Sequence, residues 1–386
     1  MKTKLKILYI CKSAPDSFQG GIQTHTWQLA HQMGKMGHRV SILTAGTAFK
    51  KTNRIASGEN VELIRLSYLP GRFIPVFWIF LEEFLFNLAV LIWVYRHSSE
   101  FDVIHLQGRS GYLVPYFIKS KKIACTSHGL LLNEYQAGRK FGFRLASFLH
   151  YHFTKSFEKQ GISKSYLIAV SESLKTDISN LFELQKPTEV INNGVELSEN
   201  ETVIPNSMDL LFVGRIEYAK GIFDLLEAMQ KVSATTQLKI AGDGSAREEL
   251  IQHLKKDATL NSRVSYLGAQ DKDQIKRLID QSFALVLPSY RETQGIVILE
   301  ANSQGKPALA SNIDGINEIL HHGENGLLFE AGNPESIAAM INNLINQPKK
   351  AVEMGQKGKE MVKSKFSWEK IANQTLSFYH QQILAL

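Results

Sequence analysis

Residues 284–301 read ALVLPSYRETQGIVILEA, which combines a buried strand, a turn and the start of an apolar helix. Two glutamates, Glu292 and Glu300, stand in this stretch with seven residues between them. Glu292 falls where the strand ends, and Gly295 opens the helix that carries Glu300. At the rise of an α-helix, Glu300 lies about 7–8 Å along the axis from Gly295. This is similar to the span from the reacting carbon of a sugar, past a diphosphate, to a nucleotide's ribose.

The free backbone amides at the start of such a helix form a natural binding site for a diphosphate. Two glutamates near a helix N-terminus also favour the helix dipole without binding any ligand. The pair by itself therefore leaves a functional and a purely structural interpretation open.

Two upstream segments favour the functional interpretation. Residues 210–221 read LLFVGRIEYAKG, a strand followed by a glycine turn, two cations and a helix start. A diphosphate leaving group requires cations held against its developing charge, and Arg215 and Lys220 are of the right type. Residues 239–245 read KIAGDGS, a second strand that runs into a glycine-rich turn.

Together these segments resemble the retaining nucleotide-sugar glycosyltransferases that share a Glu-x7-Glu signature, glycosyltransferase family 4 or "glycosyl transferases group 1". The resemblance extends from Gly20-Gly21 to beyond Glu300. It implies an α/β protein of GT-B architecture, in which two Rossmann-like domains place their parallel sheets on a central cleft. Further matches are the helix, Gly-His stop and second strand of residues 28–40 and the strand-end histidine in the run Thr126–Gly129.

The resemblance assigns roles to individual residues. Glu300 accepts hydrogen bonds from the ribose, and Glu292 lies beside the donor sugar. His128 reaches that sugar from the other domain, although a histidine here could equally be a structural residue. The glycine pair allows backbone amides to approach a phosphate or the acceptor, as ordinary loop glycines also would. The expected catalytic residues are Glu292 and His128, and the residues expected to bind the nucleotide sugar are Gly20, Gly21, Arg215, Lys220, Gly295 and Glu300.

Two positions depart from the family pattern. Gln294 stands where an aromatic side chain is frequent, and Asp314-Gly315 replaces a glycine pair. The identity of the donor sugar is therefore not transferable, and the donor is expected to be a UDP- or GDP-sugar. No Asp-x-Asp motif stands at a suitable strand end, so neither a metal nor a tightly bound cofactor is expected.

The composition is that of one or two α/β domains with full cores: 386 residues, 44% hydrophobic and 21% charged. The two cysteines, Cys11 and Cys125, imply no disulfide framework and favour a reducing cytosol. Residues 1–200 carry a net charge of +9 and residues 201–386 one of −2. The basic half indicates an acidic partner surface, such as an anionic membrane leaflet or a lipid-diphosphate acceptor, since no nucleic-acid-binding motif is visible.

Two aromatic segments, 73–95 and 139–164, admit either core packing or contact with a membrane interface, and packing is favoured. Segment 73–95 is interrupted by Glu82, Glu83 and Asn87, so a membrane span is not expected. The expected location is cytoplasmic, with peripheral attachment to the inner face of the membrane as an option.

Short apolar runs alternate with helical patterns along the whole chain, which predicts βαβ units and parallel sheets. Residues 1–203 are expected to form a Rossmann-like acceptor-side domain, and residues 204–365 a Rossmann-like domain that binds the nucleotide sugar. Residues 366–386 are expected to form a C-terminal helix that crosses back to the first domain. The predicted strands are 6–10, 39–43, 61–66, 103–106, 123–126, 167–170, 189–191, 210–213, 237–240, 263–267, 283–287, 307–310 and 326–329.

The predicted function is retaining glycosyl transfer from a nucleotide-diphosphate sugar to a glycan or lipid-linked acceptor, in bacterial surface polysaccharide or lipid-linked glycan synthesis. An epimerase or phosphorylase on the same scaffold is one alternative, and a non-catalytic scaffold of a polysaccharide assembly is another. A dehydrogenase is disfavoured because the first strand is not followed by Gly-x-Gly-x-x-Gly.

Overall fold

The computed structural model describes residues 4–14, 20–46, 52–69, 78–119, 122–133, 135–136, 145–199 and 207–385. The expected domain boundary at residues 203 and 204 lies outside these residues, as do parts of the aromatic segments 73–95 and 139–164. The chain divides into two compact units. The first unit is Met1–Gly194 with Trp368–Leu386, and the second unit is Val195–Ser367.

The strands are β1 (Lys6–Ile10), β2 (Arg39–Ala45), β3 (Asn53–Gly58), β4 (Val61–Leu66), β5 (Val103–Gln107), β6 (Ile123–Ser127), β7 (Tyr166–Ala169), β8 (Thr188–Val190), β9 (Leu210–Val213), β10 (Leu238–Ala241), β11 (Val264–Gly268), β12 (Ala284–Leu287), β13 (Ala308–Ser311) and β14 (Gly326–Phe329). The helices are α1 (Gly21–Lys35), α2 (Trp78–His97), α3 (Val114–Phe117), α4 (Leu145–Lys164), α5 (Glu172–Leu181), α6 (Ile222–Met229), α7 (Arg247–Lys256), α8 (Ala258–Arg263), α9 (Lys272–Gln281), α10 (Ile296–Ser303), α11 (Pro334–Ile345), α12 (Pro348–Lys365) and α13 (Trp368–Phe378).

Each unit is built on its own sheet. The first sheet has the strand order β3-β4-β2-β1-β5-β6-β7-β8, and the second has the order β11-β10-β9-β12-β13-β14. Every pairing is parallel except that of β3 with β4. The expectation of two parallel-sheet α/β domains is therefore confirmed. In both sheets the strand order reverses beside the first strand of the unit, and such a switch point is where open α/β sheets bind ligands.

Alternating side chains of each central strand enter cores on opposite faces of its sheet. In β1, Tyr9 packs with residues of α1 and α13, whereas Leu8 packs with residues of α2. In β9, Phe212 and Leu211 likewise belong to two different hydrophobic clusters. The cluster that contains Leu211 also contains residues of α10. Burial of each such side chain contributes about 1.5–3 kcal/mol, so both faces hold the strand ends in place.

The predicted strands agree with the observed ones to within about two residues, with one omission. Strand β3 was not predicted, because its sequence, NRIASG, is largely polar and its side chains are mostly exposed. It forms by antiparallel pairing with β4 through a turn in which Asn60 takes a φ of 59°. Asparagine is one of the few residues that adopt this left-handed conformation readily.

The C-terminal segment belongs to the core of the first unit. Trp368 packs against Gly194, where a Cβ atom would lie 2.6 Å from the indole ring. The Tyr379 hydroxyl meets the Nδ1 atom of His105 at 2.5 Å and the Tyr9 hydroxyl at 3.1 Å. All three side chains of this hydrogen-bonded chain are fully buried, so the segment is anchored by polar as well as apolar contacts.

Candidate active site

The candidate site of the second unit lies at its switch point, where the loops after β9 and β12 meet. The backbone N–H of Tyr290 donates to the Ala219 carbonyl at 3.0 Å and joins the two loops. Gly221 ends the first loop with a φ of 65°, and a Cβ atom there would lie 2.0 Å from the Pro288 carbonyl oxygen. Only glycine allows this approach, so the sequence fixes how closely the loops pack.

Lys220 and Glu292 are brought together by this loop contact although they are 72 residues apart in the chain. The Lys220 Nζ atom donates to Glu292 Oε1 at 2.6 Å, and the Ser289 hydroxyl donates to the same oxygen at 2.8 Å. The two charged side chains retain 17% and 13% of their exposure. Partial removal of water strengthens such a pair, and the carboxylate is held in one orientation.

Gly295 caps the helix α10 in the left-handed conformation, with a φ of 71°. Gly315 packs against the loop after β12, since a Cβ atom there would lie 2.6 Å from the carbonyl oxygens of both Glu292 and Thr293. Where the family has a glycine pair, this chain thus replaces the first glycine with Asp314 and retains the second, Gly315, which this contact requires. The other departure, Gln294, is a buried side chain that is 2% exposed.

Glu300 lies on α10 with its carboxyl group largely surrounded by protein. Burial raises the pKa of Glu300 to about 7; the charge of Lys272 opposes this rise and that of Glu196 adds to it. Lys272 itself pairs with Glu196 at 2.7 Å. Glu300 is therefore about half ionised at neutral pH, a property that sequence spacing did not indicate.

Arg215 is placed differently from Lys220. It follows β9 directly, but its side chain is 71% exposed and contacts Glu217 at 2.9 Å. The glycine-rich turn after β10 packs against the same loop, since a Cβ atom on Gly242 would lie 1.8 Å from the Gly214 carbonyl oxygen. Arg215 is thus held at the carboxyl edge of the sheet, with a guanidinium group that is accessible to a ligand.

The remaining expected residues lie in the first unit. Gly20 precedes α1 in an extended conformation, and Gly21 is the first residue of that helix. His128 follows β6, and its Nε2 atom lies 2.9 Å from Gln107 Oε1. In the tautomer in which Nε2 donates to Gln107, the Nδ1 atom of His128 is an acceptor.

His128 belongs to a group of three histidines whose charged forms are disfavoured. Burial lowers the pKa of His128 well below its usual value, and His25 and His105 lower it further. The rings of His25 and His128 meet edge to face at 4.7 Å. Burial also lowers the pKa of His25 to about 4 and that of His105 to about 3. His128 is therefore a neutral imidazole, suited to hydrogen bonding and not to supplying positive charge.

The sequence analysis did not predict the contact of Ser289 with Glu292, nor the close packing of Gly315 against the backbone of Glu292 and Thr293. Ser289 adjoins the motif, but a serine after a strand is too common to indicate its bond to Glu292. Among the described residues, no group of three or more His, Cys, Asp or Glu side chains could hold a metal ion. In the same part of the chain, no helix is both long enough and apolar enough to span a membrane.

Comparison with known proteins gives two family matches. The model described as Glycosyl transferases group 1 matches residues 196–361, and that described as Glycosyltransferase Family 4 matches residues 19–199. An uncharacterized glycosyltransferase of Methanocaldococcus jannaschii is 28% identical over 97% of this chain and 98% of its own.

Two solved structures share the fold. Sucrose-phosphate synthase from Thermosynechococcus elongatus superposes with a TM-score of 0.83 at 23% identity, over 99% of this chain and all of the other (100%). The Anabaena protein HepE in complex with UDP-glucose superposes with a TM-score of 0.73 at 20% identity, over 97% and 99% of the two chains.

Proposed function

The chain belongs to the group 1 glycosyltransferases of the GT-B fold, and we propose that it transfers a sugar, with retention of configuration, from a UDP- or GDP-sugar to an acceptor hydroxyl. The acceptor is a glycan or a lipid-linked glycan of a bacterial surface polysaccharide pathway. We assign the donor to the second unit and the acceptor to the first. HepE, which shares the fold, holds UDP-glucose, and this supports a nucleotide-sugar donor.

One observation carries this proposal: Lys220 and Glu292 form a half-buried pair at the switch point of the second sheet. An ammonium group there can stabilise the charge that develops on a departing diphosphate. The carboxylate beside it can hold the hydroxyls of the donor sugar and favour positive charge at the reacting carbon. Arg215 and the start of α10 add further positive charge toward the diphosphate.

The reaction breaks the bond between the anomeric carbon and the β-phosphate oxygen and forms one between that carbon and the acceptor oxygen. The proton of the acceptor hydroxyl passes to the leaving phosphate, so no separate general base is required. Glu300 accepts hydrogen bonds from the ribose. The role of His128 at the donor sugar stays a prediction, and its neutral imidazole is compatible with hydrogen bonding to a hydroxyl.

The test is nucleotide release from a panel of UDP-, GDP- and ADP-sugars by the purified protein. Slow hydrolysis of one donor is expected, and Glu292→Gln should reduce it at least about 100-fold while retaining nucleotide binding. Lys220→Met should weaken nucleotide-sugar binding about 10- to 100-fold, because a charge-assisted contact contributes about 1.5–3 kcal/mol. The control is Lys231→Met, which removes an exposed lysine paired with Glu335 and should change neither property.

The outcomes separate the proposal from its alternatives. Near-wild-type release by Glu292→Gln would remove the proposed role of that residue. Absence of both nucleotide binding and release would favour the non-catalytic scaffold. Binding without release would be followed by the same assay with added glycan acceptors, where release that depends on Glu292 supports transfer.

A further inference from the structure

The first unit carries a second group of charged side chains at its own switch point, between β1 and β5. Lys12 stands two residues after β1, and Arg109 stands two residues after β5. The two cations therefore flank the crevice at which open α/β sheets bind ligands. Neither belongs to the motifs that indicated the donor site.

The backbone of Lys12 is fixed on both sides. Its N–H donates to the Ser110 hydroxyl at 3.0 Å, and its carbonyl accepts from the Ala45 N–H at 2.9 Å and the Thr44 hydroxyl at 3.0 Å. Strand β2 and the loop after β5 thus hold this residue in register. A side chain that starts from so rigid a position loses less entropy when it binds a ligand.

The acidic side chains beside Lys12 already have partners. Glu83 on α2 contacts the Nε2 atom of His150 at 2.7 Å and the Nε atom of Arg109 at 3.3 Å. Burial works to raise the pKa of Glu83, but the hydrogen bond from His150 and the neighbouring cations outweigh it and lower that pKa. Glu82 accepts a hydrogen bond from the Tyr68 hydroxyl. The Glu83 carboxylate is therefore ionised, and its ion pair with Arg109 orients the guanidinium group.

Lys12 is the cation that these contacts leave available. Within the described ranges, its Nζ atom makes neither a hydrogen bond nor an ion pair, and the residue is half-buried. Burial lowers the pKa of Lys12, and the charges of Glu82 and Glu83 oppose this effect. A partly desolvated ammonium group without a direct partner gains more from an incoming anion than an exposed one does.

We propose that Lys12 and Arg109 bind an anionic group, a phosphate or a carboxylate, that is carried by the sugar acceptor. The inference rests on the proposed function in one respect, namely that the ligand of this unit is the acceptor. Glu83 and His150 are positioning residues for Arg109. The protein thus selects acceptors that carry such a group. The contacts of this group with the two cations orient the acceptor hydroxyl that receives the sugar.

The first experiment measures acceptor preference with the donor that the protein hydrolyses. Matched acceptors are glycerol and glycerol 3-phosphate, glucose and glucose 6-phosphate, and phosphatidylcholine vesicles that carry either uncharged diacylglycerol or anionic phosphatidylglycerol, since both of these lipids offer a free hydroxyl. We expect an anionic member to stimulate nucleotide release at least about tenfold more than its uncharged partner. Stimulation by the soluble phosphates would identify a small acceptor, whereas stimulation by the anionic vesicles alone would identify a lipid headgroup.

Variants show whether Lys12 carries the preference. Lys12→Met should reduce the ratio of anionic to uncharged acceptor use about 10- to 100-fold, and Lys12→Arg should preserve most of it. Lys35→Met is the matched control, because Lys35 is exposed at the end of α1, just before the amino end of β2. Equal use of charged and uncharged acceptors by the wild type, or an unchanged ratio in Lys12→Met, would overturn the proposal.

A second measurement uses no donor, so it separates failure of the anion site from failure of the proposed transfer. Calorimetric titration with inorganic phosphate should give about tenfold weaker binding to Lys12→Met than to the wild type and to Lys35→Met. If the three proteins bind phosphate equally, the anion site is refuted even where transfer occurs. If they differ as expected while the protein neither binds nor consumes any donor, with or without added acceptors, the anion site stands and the transferase does not.

Discussion

The Glu300→Gln substitution is expected to remove a pH dependence from donor binding. Burial raises the pKa of Glu300 to about 7, and we propose that its carboxylate accepts hydrogen bonds from the ribose hydroxyls. The ionised form is the better acceptor for these bonds. Donor affinity should therefore rise with pH through neutrality.

The size of the effect follows from the titration. With a pKa of about 7, about one tenth of the carboxyl groups are ionised at pH 6 and about nine tenths at pH 8. If only the ionised form binds well, the affinity changes about tenfold between these values, or about 1.4 kcal/mol. Binding at pH 7 should release about half a proton per donor molecule.

Isothermal titration calorimetry with UDP-glucose, or with the donor identified in the release assay, measures both quantities. A nucleotide sugar is preferable to UDP, because a terminal phosphate titrates near pH 6 and would add its own pH dependence. Titrations at pH 6, 7 and 8 in two buffers of different ionisation enthalpy give the affinity and the number of protons released. Glu300→Gln should bind with an affinity that does not vary over this range. A wild-type affinity that is equally constant would refute the role of Glu300.

The same pKa shift affects the stability of the protein. Because the pKa of Glu300 is raised from 4.5 to about 7, the native state retains a proton that the unfolded chain releases between these values. The contribution of this group to stability is thus complete below pH 4.5 and is lost as the pH rises through 7. The shift corresponds to about 3 kcal/mol, and the partial exposure of the residue reduces the expected effect to about 1–2 kcal/mol. Glu300→Gln should accordingly flatten this part of the pH dependence of unfolding.

Two further predictions concern stability and are measured by urea unfolding. Gly221→Ala should destabilise the protein by at least about 3 kcal/mol, because its Cβ atom would lie 2.0 Å from the Pro288 carbonyl oxygen. Gly268→Ala, where φ is also positive but no atom lies within 4 Å, should cost only about 1 kcal/mol, and equal losses would contradict the steric explanation. Tyr379→Phe should cost about 1–3 kcal/mol by leaving its two buried partners without its hydroxyl group. Tyr95→Phe, at a side chain that is 78% exposed, should stay within about 0.5 kcal/mol of the wild type, and a similar loss in both would refute the buried chain.

The fold was predictable because its strands are short apolar runs between glycine, proline and polar residues. Strands such as β9 and β12 are buried on both faces, so sequence alone marks them. Strand β3 shows the limit of this reasoning. Its conformation depends on hydrogen bonding to the backbone of β4 and on the turn at Asn60. Its own side chains show no pattern from which a strand could be predicted.

The candidate site was predictable only where one segment carries several of its groups. Glu292, Gly295 and Glu300 lie in one strand–turn–helix unit, so the distances between them could be predicted from their spacing in the sequence. The pairing of Lys220 with Glu292 could not be read from the sequence, because it depends on the approach of two distant loops. The cations of the first unit were missed for the same reason, since Lys12 and Arg109 lie 97 positions apart and share no local pattern.

The discontinuous first unit has a consequence for synthesis on the ribosome. Its core requires Trp368 and Tyr379, whereas its sheet is complete by β8, which ends at Val190. The nascent chain therefore has all strands of this unit long before the segment that covers one face of them is translated. During that interval the second unit is synthesised and can fold, whereas the apolar face formed by β1 and α1 remains exposed to solvent. A ribosome-associated chaperone that shields this face would act on the first unit and not on the second.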